Sequence, residues 1–300
     1  MKRVSLIGLV LVLAMIAAAC GSGDEAGDAP ATTEAPATTE APTTTVAVLD
    51  ITAAVDDYLS AIPEGWQAVG DIVAFKDGLE ASGGLLIDVR EAGEYEEGHI
   101  PGAVNIPIRT LAQNLDKIPM DRQVYVYCKS GFRAAQSLSS LGILGYDNIL
   151  SYKPGWNGWT EAGEEVSTEA AEAEVVGAPE IEAELVAAVD DYLSSIPEGF
   201  LSAGAADGVV EAIDAGAWML DVRTADEYAE GHVAGATNIN LRELAQNIDT
   251  VVEDANVIAY CGSGHRAGMS VPALHILAKA NSKGYGGSYS SLVDGGAPTE

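Results

Sequence analysis

Two cysteines of this 300-residue chain stand in the same short context. The sequence reads Tyr-Cys-Lys-Ser-Gly-Phe-Arg from Tyr127 to Arg133 and Tyr-Cys-Gly-Ser-Gly-His-Arg from Tyr260 to Arg266. Cys128 and Cys261 are the candidate nucleophiles. A thiolate is the reactive form of cysteine, and it needs positive potential around it. Each loop offers several sources of that potential. Ser130 and Gly131, like Ser263 and Gly264, can turn backbone N–H groups towards the sulfur as an anion-binding nest. The helical pattern that follows adds its N-terminal dipole. Gly131 and Gly264 allow the tight turn without a Cβ. Arg133 and Arg266 close the loops, where they can also meet an anion. Lys129 adds a charge beside the first cysteine; the second loop has Gly262 there, and His265 replaces Phe132. Lys129, Ser130, Gly131, Phe132 and Arg133 in one loop, with Gly262, Ser263, Gly264, His265 and Arg266 in the other, are the candidate substrate-binding residues.

The flanking pattern says what must position these loops. Val124–Tyr127 is a β-rich run that ends at the cysteine, and 132–144 repeats its apolar residues at helical spacing. Upstream, 71–82 reads as a helix and 85–89, after two glycines, as a strand buried on both faces. Residues 91–97 read as a short acidic helix and 148–152 as another strand. Strands alternating with helices imply an α/β fold, a parallel sheet flanked by helices on both faces. In such sheets the site lies at the carboxyl ends of the strands, which is where Cys128 falls.

The pattern occurs twice. Ala53–Gly65 and Ala187–Gly199 are identical except for Ser195, at an offset of 134 residues. Asp88–His99 and Asp221–His232 agree at nine of twelve positions, at an offset of 133, as do the cysteine loops. Each unit is long enough to own a core, so this is a tandem duplication rather than a solenoid. The expected organisation is a signal segment over 1–20, a Thr/Pro/Ala/Glu tether over 21–50, a first domain over 51–163, a linker over 164–180 and a second domain over 181–300. Both repeats open on an amphipathic helix, 53–62 and 187–196, for which the sequence suggests no chemistry.

Charge narrows the partners. There are 15 Lys and Arg against 45 Asp and Glu, a formal net charge of −30. Such a chain repels nucleic acid and anionic lipid, so neither is an expected partner. Three cysteines are no disulfide framework. A Cys128–Cys261 bridge would require two equivalent loops to face each other within a narrow geometry. No Cys-x-x-Cys and only four histidines argue against a metal site, and no cofactor is expected. Cys20 belongs to the N-terminal segment. Lys2 and Arg3 precede an apolar run that ends Ala17-Ala18-Ala19-Cys20-Gly21-Ser22. This resembles the lipobox of bacterial lipoproteins, with Ala17 where leucine is more usual. The resemblance implies cleavage before Cys20, its acylation, and an extracytoplasmic chain whose only membrane contact is that anchor.

Several ordered motifs together resemble the rhodanese family of sulfurtransferases. They are Asp88-Val89-Arg90, then Glu94 to Ala103 with Asn105-Ile106-Pro107, the loop Cys128 to Arg133, and Gly155-Trp156-Asn157-Gly158-Trp159. The second copy repeats the first two sets, and Gly286-Gly287-Ser288-Tyr289 loosely resembles the third. The resemblance implies two tandem rhodanese-like domains and a persulfide mechanism. Sulfur would pass from a small anionic donor such as thiosulfate, through the cysteine, to a thiol or cyanide acceptor. The loops are Cys-x4-Arg, whereas the related phosphatases carry the wider Cys-x5-Arg, so sulfur is favoured over phosphate. Another use of such domains, a non-enzymatic persulfide carrier or protein-binding module, stays open. Arg90 lies four residues before Glu94, a spacing at which an ion pair is easy. Asp88, Arg90, Glu94 and His99 are expected to be scaffold, and Trp156 and Trp159 packing residues.

Overall fold

The computed structural model describes residues 49–300. The signal segment, Cys20 and nearly all of the 21–50 tether lie outside the described residues. The first repeat runs α1 (Ile51–Ala61), β1 (Ala68–Val69), α2 (Ile72–Ser82), β2 (Leu85–Asp88), α3 (Ala92–Glu97), β3 (Val104–Asn105), a 3-10 segment (Ile108–Lys117), β4 (Val124–Tyr127), α4 (Phe132–Ile143), β5 (Ile149–Tyr152) and α5 (Gly155–Glu161). The second runs α6 (Ala183–Ser195), α7 (Ala206–Asp214), β6 (Trp218–Asp221), α8 (Ala225–Ala229), β7 (Thr237–Asn238), 3-10 turns at Leu241–Glu243 and Ile248–Thr250, β8 (Val257–Tyr260), α9 (His265–Ile276), β9 (Ser282–Gly284) and α10 (Tyr289–Asp294). Asp50 and Asp71 start α1 and α2 by accepting from Ala53 N and Ala74 N, and Gly83 ends α2 in the left-handed conformation.

Both sheets are parallel, in the orders β1-β5-β4-β2-β3 and β7-β6-β8-β9. Period-two alternation sends each strand's side chains to two cores. Leu86, Tyr125, Tyr127 and Tyr152 face Phe75 of α2 and Trp159 of α5. Ile87, Val124, Val126 and Cys128 face the other way, into a core that also holds residues of α1, α4, α6 and α9. The second sheet likewise buries Met219, Ile258 and Tyr260 against Val209 of α7 and Leu292 of α10. Its opposite face joins the same central core as the first sheet. The two repeats therefore share a middle layer, in which α4 lies against α9. Every residue of α4 after Phe132 is buried, as a helix between a sheet and another helix must be.

Two segments have roles in packing that local sequence did not reveal. The opening helices cross over. Helix α1 packs on the Leu241–Glu243 turn of the second repeat as well as on α4, and α6 packs on Ile108–Lys117 of the first as well as on α9. Residues 164–180, read as a linker, do connect the repeats but are laid along the first. Ser167 and His99 exchange backbone hydrogen bonds at 2.9 Å each, Ala171 N donates to Tyr95 Oη, and Val176 N donates to Asp116 O. The chain's last residues play this part in the second repeat, where His232 and Glu300 exchange backbone hydrogen bonds.

A shared middle layer predicts one unfolding event, because neither repeat can leave without exposing the other's core. Calorimetry should show a single transition for the full chain; two resolved transitions would contradict this. A Cβ at Gly268 would sit 2.9 Å from Ala135 Cβ and 3.1 Å from Phe132 O. Gly268→Leu is therefore expected to overpack the α4–α9 contact and cost about 1–3 kcal/mol in chemical denaturation.

Candidate active site

Each cysteine follows the last residue of a central strand, and its loop leads directly into a buried helix. Cys128 is 1% exposed and Cys261 0%, and both are free thiols. The sulfur thus lies at the floor of the loop, while Lys129 and Ser130, like Gly262 and Ser263, are exposed at its rim. Gly131 and Gly264 cap α4 and α9 with φ of 88° and 80°. A Cβ there would overlap the carbonyl of Lys153 or Gly286, so these loops require glycine for both conformation and space. The backbone beneath is pinned. Trp156 N donates to Cys128 O at 2.8 Å, and Tyr289 N donates to Cys261 O at 3.0 Å. Tyr289 is thus the counterpart of Trp156, which explains the loose third motif of the second copy. Trp159 is a core residue under Phe75.

The loop-closing arginines are held by carboxylates from the short helices α3 and α8. Arg133 reaches Glu94 through both terminal nitrogens, at 2.5 and 2.9 Å, and Arg266 reaches Glu227 at 2.6 Å twice. Such forked pairs fix the plane of the guanidinium as well as its position. Burial works against the Arg133 charge, but Glu94 and then the Cys128 sulfur outweigh it, and the guanidinium ends above its ordinary range. Arg266 follows the same pattern with Glu227 and Cys261. Glu227 is drawn down to about 2, first by the Arg266 hydrogen bonds and then, against its burial, by the Thr224 backbone.

Arg90 does not pair with Glu94 as its spacing suggested. It forks onto Asp88, with Nη2–Oδ2 at 2.7 Å, and donates to Gly98 O at 2.6 Å. The reason is that Arg90 precedes α3 instead of lying on it, so the helical i,i+4 geometry does not apply, while Glu94 caps Glu91 N and meets Arg133. Arg223 repeats the arrangement with Asp221. These pairs are buried scaffold. Their guanidiniums lie 4.7 Å from the Trp156 ring and 4.3 Å from the Tyr289 ring. His99 is likewise internal, stacked on Tyr95 with ring centroids 3.7 Å apart.

Two of the candidate substrate-binding side chains turn to the opposite repeat. Phe132 packs on Gly268, Gly284 and Gly286. His265 places Nε2 3.0 Å from Trp66 O, and burial holds its imidazole down at about 4. Between the two loops lies a cavity of about 270 Å³, lined by Ser130, Gly131 and Phe132, by Ser263, Gly264 and His265, and by Lys153. Residues that local motifs did not point to complete the surroundings. Phe200 stacks on Arg133 and Trp66 on Arg266, with Arg109 and Arg242 on the same rings. The retained Pro-Glu-Gly-aromatic string at 63–66 and 197–200 was the available signal.

The rhodanese-like domain profile matches residues 72–162 and 205–297, more than half of the chain. A sulfurtransferase of Allochromatium vinosum is 35% identical over 79 residues, 26% of this chain and 74% of that protein. The thiosulfate sulfurtransferase GlpE of Shewanella oneidensis is 31% identical over 83 residues, 28% of this chain and 82% of that protein. The uncharacterized protein YqhL of Bacillus subtilis is 42% identical over 74 residues, 25% of this chain, and the match spans only 59% of its length.

The depressed Glu227 makes its pairing with Arg266 pH-dependent. A carboxylate lowered on folding from 4.5 to about 2 adds stability above 4.5, and that stability fades as pH falls towards 2. Glu227→Gln should lower stability in urea at pH 7 by about 1 kcal/mol, a figure discounted for the partly exposed carboxylate. The gap to wild type should close between pH 4.5 and 2; a constant gap would show that the pair is not its source.

Proposed function

The chain belongs to the rhodanese-like domain family, and on that footing we propose that it is a sulfurtransferase with two sites, working through cysteine persulfides. The observation that carries this reading is the buried cysteine on a Cys-x4-Arg loop, present twice, with the arginine locked by a carboxylate. Relatives named as sulfurtransferases support it.

In the proposed reaction the Cys128 or Cys261 thiolate gives an electron pair to the outer sulfur of thiosulfate. The bond between that sulfur and the sulfonyl sulfur breaks, and its pair leaves with sulfite. The persulfide then gives its outer sulfur to cyanide, forming thiocyanate, or to a thiol, forming a new persulfide, and the thiolate is restored. Neither half-reaction needs an external oxidant. Loop N–H groups and the N-termini of α4 and α9 stabilise the anionic sulfur, and the buried floor shields it from water. Lys129 supplies the cation that a dianionic donor needs at the mouth of so negative a protein. The lipobox-like string ending at Cys20 supports a companion proposal, that both sites work outside the cytoplasm on a lipid-anchored chain.

Incubation with thiosulfate followed by mass spectrometry should find a 32 Da adduct, one sulfur atom, on the peptides of both Cys128 and Cys261. Thiocyanate formation should fall in Cys128→Ser and in Cys261→Ser and vanish in the double variant. A folded wild type with neither adduct nor turnover would instead favour a binding module. Cys128→Ser should cost more thiosulfate turnover than Cys261→Ser, because only the first loop has Lys129. In a Cys261→Ser background, Lys129→Gln should raise KM for thiosulfate by about threefold to tenfold with little change in kcat. An unchanged KM would remove Lys129 from the site.

A further inference from the structure

The opening arm of each repeat, a helix and the turn after it, ends at the active loop of the other repeat. In the first repeat the arm is α1 and the turn Pro63-Glu64-Gly65-Trp66; in the second it is α6 and Pro197-Glu198-Gly199-Phe200. Both turns run through three successive residues of positive φ: 85°, 59° and 52° at Gly65, Trp66 and Gln67, and 85°, 55° and 56° at Gly199, Phe200 and Leu201. Side chains other than glycine adopt that region at a cost, and two in a row, one of them aromatic, persist only where the surroundings impose it.

The surroundings are those of the opposite repeat. Arg109 donates to Ile196 O at 2.7 Å and Pro197 O at 2.9 Å, and Arg242 donates to Ile62 O at 2.7 Å. The aromatic residue's own carbonyl is held by the opposite active helix. Gln136 Nε2 donates to Phe200 O at 3.0 Å, and His265 Nε2 lies 3.0 Å from Trp66 O. Different residue types thus serve the same carbonyl on the two sides. The ring then contacts two cations. Phe200 has the Arg133 and Arg109 guanidiniums 4.5 and 4.6 Å from its centroid; Trp66 has Arg266 and Arg242 at 4.8 and 4.2 Å.

We propose that Phe200 and Trp66 are positioning residues exchanged between the repeats: Phe200 orients the loop-closing Arg133 of the Cys128 site, and Trp66 orients Arg266 of the Cys261 site. The Glu94 or Glu227 fork grips the edge of the guanidinium, and the ring contacts it from the opposite repeat. One contact of Arg133 and Arg266 with water is replaced by a π surface, so the positive charge acts on the sulfur through a less polar medium. Each site is complete only when both repeats are folded together. This rests on the proposed function only in treating Cys128 and Cys261 as the reacting thiols.

The test uses the full chain and needs no sulfur donor. The rate of iodoacetamide alkylation is followed against pH, with the Cys128 and Cys261 peptides quantified separately by mass spectrometry. Phe200→Leu is expected to move the midpoint of the Cys128 curve upward by roughly half a pH unit and leave that of Cys261 in place, and Trp66→Leu to do the reverse. A change in access alone would alter the plateau but not the midpoint. Phe200→Trp and Trp66→Phe, which keep a π face, should restore the wild-type midpoints and guard against a folding defect in the leucine variants. A shift at the cysteine of the same repeat, equal shifts at both, or no shift would overturn the proposal. Absence of sulfur transfer, by contrast, would count against the proposed function and leave this result untouched.

Discussion

The packing of α4 on α9 is the constraint from which the other features follow. Each helix starts at a cysteine loop, so joining the helices brings the two loops to one seam and leaves a small cavity between them. Gly268 lets the helices approach until Phe132 and Ala135 fill the space a side chain would need. With both helices buried on nearly every side, the loop at their N-termini has few ways to move. Burial of α4 and α9 therefore fixes the path of the loop backbone that carries each cysteine.

A second constraint is electrostatic. The chain carries a large excess of carboxylates, yet its buried arginines are matched to particular ones: Asp88 to Arg90, Glu94 to Arg133, Asp221 to Arg223 and Glu227 to Arg266. Removing one member of such a pair strands the other, so these positions are coupled. The two inner pairs, of Asp88 and Asp221, organise the backbone under the site. The two outer pairs, of Glu94 and Glu227, hold the arginines that close the cysteine loops.

Much of this was legible in the sequence. The strand ending at Tyr127, the glycine turn and the helix from Phe132 followed from local pattern, and duplication made the second copy secure. The α/β architecture followed from the same pattern, and the ordered motifs, by their resemblance to a known family, implied that its two units are rhodanese-like domains. What escaped shares a physical cause. β1, β3 and β7 are two residues long, too short to show a period. The partner of Arg90 was misjudged because spacing says nothing about which residue stands before the helix begins. The strap at 164–180 and the crossing arms rest on contacts between residues far apart in the chain, which leave no local signature. Only the near-identity of Ala53–Gly65 and Ala187–Gly199 hinted that the arms matter.

The crossing arms make the contact between the repeats isologous, as in a two-fold dimer: what the first gives the second, it receives in kind. In a true dimer every substitution is made twice, and a change that helps one site alters the other identically. Here the symmetric positions lie on one chain and vary one at a time. Lys129 stands opposite Gly262, Gln136 opposite Met269, and Trp66 opposite Phe200. Glu91, which pairs with Arg109, stands opposite Thr224, and Arg242 has no carboxylate partner among the described residues. Covalent fusion has kept the geometry of a symmetric pair while releasing its two halves from having to be the same.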